Sequence, residues 1–297
     1  MLVLFPALAA MTASFGWAGG IILAQMPAQR LGAFEFTRIQ LLSCAAIMAA
    51  LSSLLGLWQS VELHYWPAYT VSIVIGILLG NLAMIECLRL GGPRLTELLL
   101  CLKAPIVALL AYFWLGETLK GIDIIGVAVV LVGVVLAILA SHENELAFKR
   151  SARNLLPVFL LGAFAAACQG GGFLVVKPLL EIGAEPIAVS AIRLVGAAAI
   201  ISLIGIWPAH VFRPHAEATP YLVFRTVLPG VIGYGVSSSL LLYAFANMEA
   251  GIAAVLGSLS PLFVLPILWA KTKKRPNTLA VLGAVLAIAG TSLIVLF

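Results

Sequence analysis

Long apolar runs, separated by short polar or Pro/Gly-containing segments, repeat along the whole chain. A helix needs roughly 20 apolar residues to cross the hydrocarbon core of a bilayer. Dividing the chain at its charged and Pro/Gly clusters predicts ten spanning helices. They cover residues 2–24, 35–57, 68–90, 94–115, 122–141, 154–178, 186–208, 222–247, 250–270 and 277–297. The first run is predicted to be a retained helix and not a signal peptide, because no basic residue precedes it.

The amino-acid composition indicates that these apolar helices lie in a membrane. Only 10% of the 297 residues are charged and 63% are hydrophobic, and the mean hydropathy is +1.14. Soluble domains carry about 25% charged residues, and a soluble globule could not bury this much apolar surface. The composition therefore excludes a soluble enzyme, a nucleic-acid-binding protein and a disordered chain. We expect an all-α, multi-pass membrane protein.

Charged residues concentrate between the predicted helices. The segments after odd-numbered helices carry most of the Lys and Arg, whereas those after even-numbered helices carry little beyond Lys120. By the positive-inside rule this bias predicts that both termini lie outside, and it accounts for the net charge of +5 without nucleic acid. The four cysteines lie inside apolar runs without zinc-type spacing, so we expect neither a disulfide framework nor a metal site.

An internal repeat divides the chain into two halves. Three anchors recur at offsets of 155 to 157 residues: Arg38 with Arg193, Pro105 with Pro261, and the glycine pair 126/133 with the pair 283/290. We expect five-helix repeats at residues 1–140 and 154–297, joined by an interfacial linker at 141–153. Because five is odd, the repeats would have opposite orientations in the bilayer. Inverted repeats are typical of secondary transporters, with a site near the midplane between the halves.

These residues resemble the drug/metabolite transporter superfamily, specifically its EamA-type ten-helix carriers. The resemblance rests on Phe-Gly-Trp at 15–17, Arg38, Pro105, Gly-Glu-Thr-Leu at 116–119, Gly126, the glycines at 170–172, Lys177, Arg193, Pro261 and Gly283. The second half lacks the Gly-Glu signature. The resemblance implies export or exchange of small metabolites, amino acids or drugs across a bacterial inner membrane. It also implies cytoplasmic termini, which is opposite to the orientation that the loop charges predict.

Ionisable residues inside spanning helices are candidates for solute contact, because each costs several kcal/mol unless it is paired or hydrated. The candidate substrate-binding residues are Lys103, Trp17, Glu86, Arg193, Gln169, Asn81, Tyr243 and Glu97. Lys103 would lie about 13 Å deep, at 1.5 Å per helical residue, near the middle of a core of about 30 Å. It would bind a carboxylate or phosphate or exchange a proton. The alternative is a structural pair with Glu86 or Glu97.

The remaining candidates are weaker. Trp17 is flanked by glycines that would let a ligand approach. Gln169 precedes three glycines, which predict either a locally opened helix or tight helix packing. Arg193 is deeper than its repeat mate Arg38 and is the better anion ligand. Asn81 would supply neutral hydrogen bonds, and Tyr243 would be part of an aromatic wall.

The sequence contains no catalytic constellation, cofactor motif, metal cluster or nucleotide site, so we expect no enzyme. Transport would use an ion gradient, with a proton as a possible coupling ion, or exchange. Deep basic residues are at least as numerous as deep acids. This favours zwitterionic or anionic metabolites, amino acids first, over cationic drugs and lipid-linked sugars. A non-transporting receptor and an intramembrane enzyme are the alternative classes. Ten helices can enclose a cavity alone, which makes a monomer plausible.

Overall fold

The structure, a computed structural model, describes residues 4–117, 121–139, 155–207, 212, 216–273 and 278–296, and the regular elements in these ranges are all helical. The helices are α1 (Leu4–Leu31), α2 (Ala33–Leu54), α3 (Trp66–Val71), α4 (Gly80–Leu100), α5 (Lys103–Leu115), α6 (Gly121–Leu139), α7 (Leu155–Glu181), α8 (Pro186–Gly205), α9 (Pro220–Gly230), α10 (Ser238–Asn247), α11 (Ala250–Leu256), α12 (Ser260–Thr272) and α13 (Thr278–Leu296). Short 3₁₀ turns occupy Leu57–Ser60 and Leu63–Tyr65. The interfacial linker expected at 141–153 lies outside the described residues.

Within the described ranges, six helices are long and apolar enough to cross a membrane. They span Leu4–Leu31, Ala33–Leu54, Leu63–Pro93, Leu156–Glu181, Pro186–Gly205 and Pro220–Asn247. Shorter apolar helices include Lys103–Leu115 and Ala250–Val264. A helix rises 1.5 Å per residue, so the six long helices reach across a core of about 30 Å. The chain is a multi-pass membrane protein, as its composition predicts.

A π-helical segment interrupts one long helix in each half. Ser72–Leu79 joins α3 to α4, and Val231–Ser237 joins α9 to α10. A π-helical turn widens the helix locally and is common at functional sites. The chain then bends between the third and fourth predicted helices at Gly92, whose φ is 75° and ψ 173°. Glycine adopts this conformation without strain, and Pro93 begins the next helical stretch.

The two helices predicted at 94–115 and 250–270 are each broken in the middle. The first is interrupted at residues 101–102 and the second at residues 257–259. Pro105 and Pro261 each lie in the first turn of the helix that follows the break. Backbone N–H groups in the first turn have no partner within the helix, so the N–H that proline lacks costs no hydrogen bond there. The repeat-related prolines therefore mark the starts of two half-helices, α5 and α12.

The two halves pack against each other in matching pairs. Helix α1 contacts α9, the Val231–Ser237 segment and α10, and α7 contacts α4 and the Ser72–Leu79 segment. Helix α2 packs against α8, and α6 against α13. The four glycines of the α6 and α13 repeat are all buried, in agreement with the close approach predicted from their spacing. All four cysteines are buried and unpaired, as expected.

Candidate functional site

A cavity with about 880 Å³ of empty space, counting its open mouth, lies between the halves. The residues that line it come from both halves. They are Trp17, Gly20, Ile21, Ala24, Gln40, Gly76, Ile77, Asn81, Met84, Ile85, Glu97, Leu100, Lys103, Gln169, Phe173, Arg193, Pro229, Gly233, Tyr234, Ser238, Gly257, Ser258 and Ser260. The lining is mostly apolar with a few polar groups, as in sites that bind small molecules. Six of the eight predicted substrate-binding residues are in it.

Lys103 is the first residue of α5 and directly follows the break at residues 101–102. Its side chain is 5% exposed, and its Nζ lies 4.6 Å from the centre of the Trp17 ring. A Cβ on Gly170 would lie 3.1 Å from Lys103 Cγ, so the glycine leaves the room that this side chain occupies. Lys103 is thus a buried cation held over an aromatic face, an arrangement that stabilises the charge.

Arg193 is the second buried cation and lies on α8. It is 1% exposed, and its Cζ is 4.8 Å from the centre of the Phe173 ring. Within the described part of the chain, none of its three side-chain nitrogens has a hydrogen-bond partner. Buried guanidinium groups are ordinarily paired. Arg193 therefore presents unused donors at the wall of the cavity.

The glycine run at 170–172 is continuous α-helix and serves close packing. A Cβ on Gly172 would lie 2.3 Å from the Cα of Gly76 and 3.5 Å from the Nη2 of Arg193. The backbones of α7 and the Ser72–Leu79 segment therefore touch at this crossing, and Ser72 Oγ donates a hydrogen bond of 2.5 Å to the Gly172 carbonyl. Of the two interpretations of the glycine run, tight packing matches the structure.

Glu97 is the acidic residue of the cavity lining. It is 3% exposed, and its Oε2 accepts a hydrogen bond from Ser260 Oγ at the start of α12. Among the described residues, no ion pair within 4 Å joins Lys103 to Glu97 or Glu86. The two broken helices thus bring a carboxylate, a hydroxyl and an ammonium group to one end of the cavity.

Neutral polar groups complete the wall. Asn81 Nδ2 donates to Thr37 Oγ1 at 3.3 Å, and its buried Oδ1 has no hydrogen-bond partner in the described residues. Gln169 Nε2 contacts Met84 Sδ at 3.3 Å. Asn81 and Gln169 can therefore still donate to or accept from a solute.

Two of the predicted substrate-binding residues lie outside the cavity lining. Glu86 forms an ion pair of 2.5 Å with Arg89, one helical turn away on α4. Tyr243 is 39% exposed, and its carbonyl accepts a hydrogen bond from Asn247. Both side chains lie on a face of their helix that the cavity does not reach.

The repeat mates Arg38 and Arg193 have different environments. Arg38 Nη2 lies 2.9 Å from Glu35 Oε1, three residues earlier, and its side chain is partly exposed. At the corresponding position before Arg193 the chain has Ser190, whose hydroxyl donates to the Tyr234 carbonyl. The arginine of the first half is neutralised by a neighbouring acid, whereas the arginine of the second half is not.

A separate charged cluster joins the halves at one end of the molecule. Lys177 Nζ lies 3.3 Å from Glu117 Oε1 and 2.8 Å from Glu181 Oε1. It also donates to the carbonyls of Phe245 and Met248, at 3.0 and 2.9 Å. Glu117 in turn accepts the backbone N–H at the first residue of α11, at 2.7 Å. Lys177 is therefore buried and fully partnered, although a lysine near the end of a spanning helix ordinarily extends its charged group to the lipid head groups.

The sequence analysis missed three residues of the cavity lining. Phe173 lies under Arg193, Ser260 donates to Glu97, and Gln40 is part of the lining. Ser260 has a signal in the sequence, because it directly precedes Pro261, the repeat mate of Pro105. Phe173 and Gln40 carry no comparable signal.

Comparison with known proteins identifies the family. Residues 4–139 and 156–296 each match the EamA-like transporter family. A protein crystal structure superimposes with a TM-score of 0.77, over 97% of this chain and 95% of the other, at 18% sequence identity, which shows a shared fold. The comparison with curated proteins finds no match. Since the two family matches together cover nearly the whole chain, the protein belongs to the EamA-like transporter family.

Proposed function

We propose that the protein is a secondary active transporter that moves small zwitterionic or anionic metabolites, amino acids above all, across a bacterial inner membrane. It works by alternating access as an exporter or exchanger. In this proposal the chain crosses the membrane ten times as two inverted five-helix repeats, at 1–140 and 154–297. The substrate-binding residues are Lys103, Trp17, Glu97, Arg193, Gln169 and Asn81, and the working unit is a monomer.

The observation that carries the proposal is the unpartnered Arg193 on the wall of a cavity between the halves. A buried cation without hydrogen bonds is costly, so such a group is retained where a ligand supplies the missing acceptors. The half-helices α5 and α12 both begin at this cavity. Their N-termini add partial positive charge, which attracts anionic groups of a solute.

The same cavity argues against organic cations as solutes. Cation-binding sites use the faces of aromatic rings. Here Lys103 already covers Trp17, and Arg193 already covers Phe173. An added cation would therefore meet two like charges that already occupy these two rings.

Exchange in liposomes tests the proposal. The purified protein is reconstituted with one unlabelled amino acid or organic anion inside, and uptake of the labelled solute is followed. We expect accumulation for at least one amino acid or anion and none for quaternary ammonium compounds. In the same buffers, a solute at 100 times its dissociation constant should stabilise the detergent-solubilised protein by about 2.7 kcal/mol.

Lys103→Met should abolish both the exchange in liposomes and the thermal stabilisation by the solute. Tyr243→Phe, a change outside the cavity, should preserve both. Thermal unfolding of each variant without solute reports whether it folds. Uptake of organic cations alone would contradict the proposed substrate class. Binding of solutes without any flux would instead indicate a receptor.

A further inference from the structure

The cavity lining contains three charged side chains. Among the described residues that line it, they are Lys103, Glu97 and Arg193. The first two lie six residues apart, on the two sides of the break between α4 and α5. Arg193 lies on α8 and has no acid or hydrogen-bond partner in the described residues. The lining thus carries two positive charges and one negative charge.

The two cations are separated by a pair of aromatic rings. Lys103 lies over Trp17, and Arg193 lies over Phe173. The two rings meet edge to face, with their centres 6.3 Å apart. A solute with a single carboxylate can neutralise the cation at one end of this ring pair and leaves the cation at the other end without a counter-charge. The site therefore fits a solute with an anionic group for each end.

Glu97 distinguishes the two ends. It lies on the other side of the same helix break as Lys103, so this part of the lining offers both a carboxylate and an ammonium group. This combination is complementary to the amino and carboxylate groups of an α-amino acid. The other end offers a guanidinium alone, which is complementary to a second carboxylate. A phosphate monoester would bring about −1.5 to −2 charges to an end with a single cation, so a carboxylate matches it better.

We infer that the preferred solute is an α-amino dicarboxylate: its amino and α-carboxylate groups bind at Glu97 and Lys103, and its side-chain carboxylate binds at Arg193. This inference rests on the proposed function and names its substrate class. In this assignment Arg193 determines specificity, because its guanidinium distinguishes the side-chain carboxylate of an acidic amino acid from the neutral amide of the same shape. Glu97 has the corresponding role for the amino group.

Three probes of similar size test this assignment: glutamate, glutamine and glutarate. Glutamine replaces the side-chain carboxylate by a neutral amide, and glutarate lacks the amino group. Affinity is measured by thermal stabilisation and by competition for exchange in liposomes. We expect glutamate to bind at least tenfold more tightly than either analogue, because each analogue leaves one buried charge of the protein unpaired.

Two substitutions assign the effects to residues. Arg193→Gln should remove the preference for glutamate over glutamine and leave glutamine binding near its wild-type value. Glu97→Gln should remove the preference for glutamate over glutarate. Arg38→Gln, at the repeat mate outside the cavity, should leave both preferences intact, and Arg193→Lys, which keeps the charge, should retain part of the first.

The outcomes separate this inference from the proposed function. Equal or tighter binding of glutamine by the wild-type protein would overturn the dicarboxylate assignment and leave an amino acid transporter standing. A glutamate preference that survives Arg193→Gln would overturn the role of Arg193. Failure of every amino acid and organic anion to bind or exchange would overturn the proposed function itself. The wild-type comparison needs no variant, so misfolding of a substituted protein cannot obscure it.

Discussion

Replacing Arg193 with methionine should stabilise the solute-free protein. Arg193 is 1% exposed, and its nitrogens have no hydrogen-bond partner in the described residues. Replacing a buried ion pair with apolar groups of similar volume is neutral or stabilising by about 1–4 kcal/mol, and a lone buried ion has no partner whose attraction would be lost. The lost contact with Phe173 offsets about 0.5–2 kcal/mol. A net gain of about 1 kcal/mol remains.

The repeat mate should respond with the opposite sign. Arg38→Met removes the partner of Glu35, whose side chain is 6% exposed and whose second oxygen has no hydrogen bond in the described residues. A buried acceptor left without its partner costs about 1–3 kcal/mol. One chemical change at two equivalent positions of the repeat therefore raises stability in one half and lowers it in the other.

Thermal unfolding in one detergent and one buffer measures both changes. A change of 1 kcal/mol corresponds to a shift of about 2–4 °C in Tm for a chain of 150–250 residues, and a somewhat smaller shift for this longer chain. The experiment is then repeated with glutamate at one fixed concentration, which should stabilise the wild-type protein more than Arg193→Met. A fall in Tm for Arg193→Met of the size seen for Arg38→Met would refute the reasoning, because Arg193 would then hold the fold together.

Three further predictions follow from packing and pairing. Gly172→Ala should destabilise the protein by about 1–3 kcal/mol, because its Cβ would lie 2.3 Å from a backbone atom across the crossing; Gly171→Ala, with nothing within 4 Å, should not. Lys177→Met should lower Tm by several degrees, because it leaves the largely buried Glu117 without its cation; Arg30→Met at the exposed end of α1 should have no effect. A water-soluble maleimide should label none of the four buried cysteines in the folded protein and all four after denaturation.

Each of these predictions has a clear contrary result. Equal Tm values for the two glycine variants would mean that the crossing of α7 can open without cost. An unchanged Tm for Lys177→Met would show that the ion pairs at this end of the molecule contribute nothing to stability. Rapid labelling of a cysteine in the folded state would contradict the packing around it, and mass spectrometry would identify which one.

The parts of the fold that depend on local patterns could be predicted from the sequence. Hydrophobic length locates the helices, because the bilayer imposes that length on each one. The spacing of Gly126 and Gly133, repeated in the second half, predicts a face that a neighbouring helix can approach closely, because glycines seven residues apart share one helix face. The structure shows that these two faces belong to α6 and α13, which pack against each other. The kink near Gly92 and Pro93 follows from residues that end helices.

The breaks after Leu100 and Leu256 could not be predicted, because hydropathy averages over a window and does not report backbone hydrogen bonds. The residues within both breaks, 101–102 and 257–259, are apolar or small. Only the prolines a few residues later give a signal, and a proline in the first turn of a helix is compatible with either a continuous or a broken helix.

The sequence predicts most of the polar residues that line the cavity, but it does not predict how they are placed around it. Lys103, Glu97 and Arg193 are conspicuous because charge is rare in apolar helices. Glu86 is equally conspicuous, yet it lies outside the cavity lining because it pairs with Arg89 one turn away. Deciding which side of a helix faces the cavity requires the packing of all its neighbours. The contrast between Arg38 and Arg193 does have a sequence signal, since Glu35 precedes the first by three residues and Ser190 the second.

The unequal environments of Arg38 and Arg193 have a kinetic consequence. A carrier whose two halves lined its cavity identically would present the same groups to both sides of the membrane. Here each half contributes one buried cation that the other half lacks, since Leu259 occupies the position related to Lys103. The half-saturation concentrations for exchange should therefore differ between the two faces. At equilibrium the solute ratio across the membrane is still fixed by the gradients alone, so the asymmetry changes how quickly each face responds and never the final ratio.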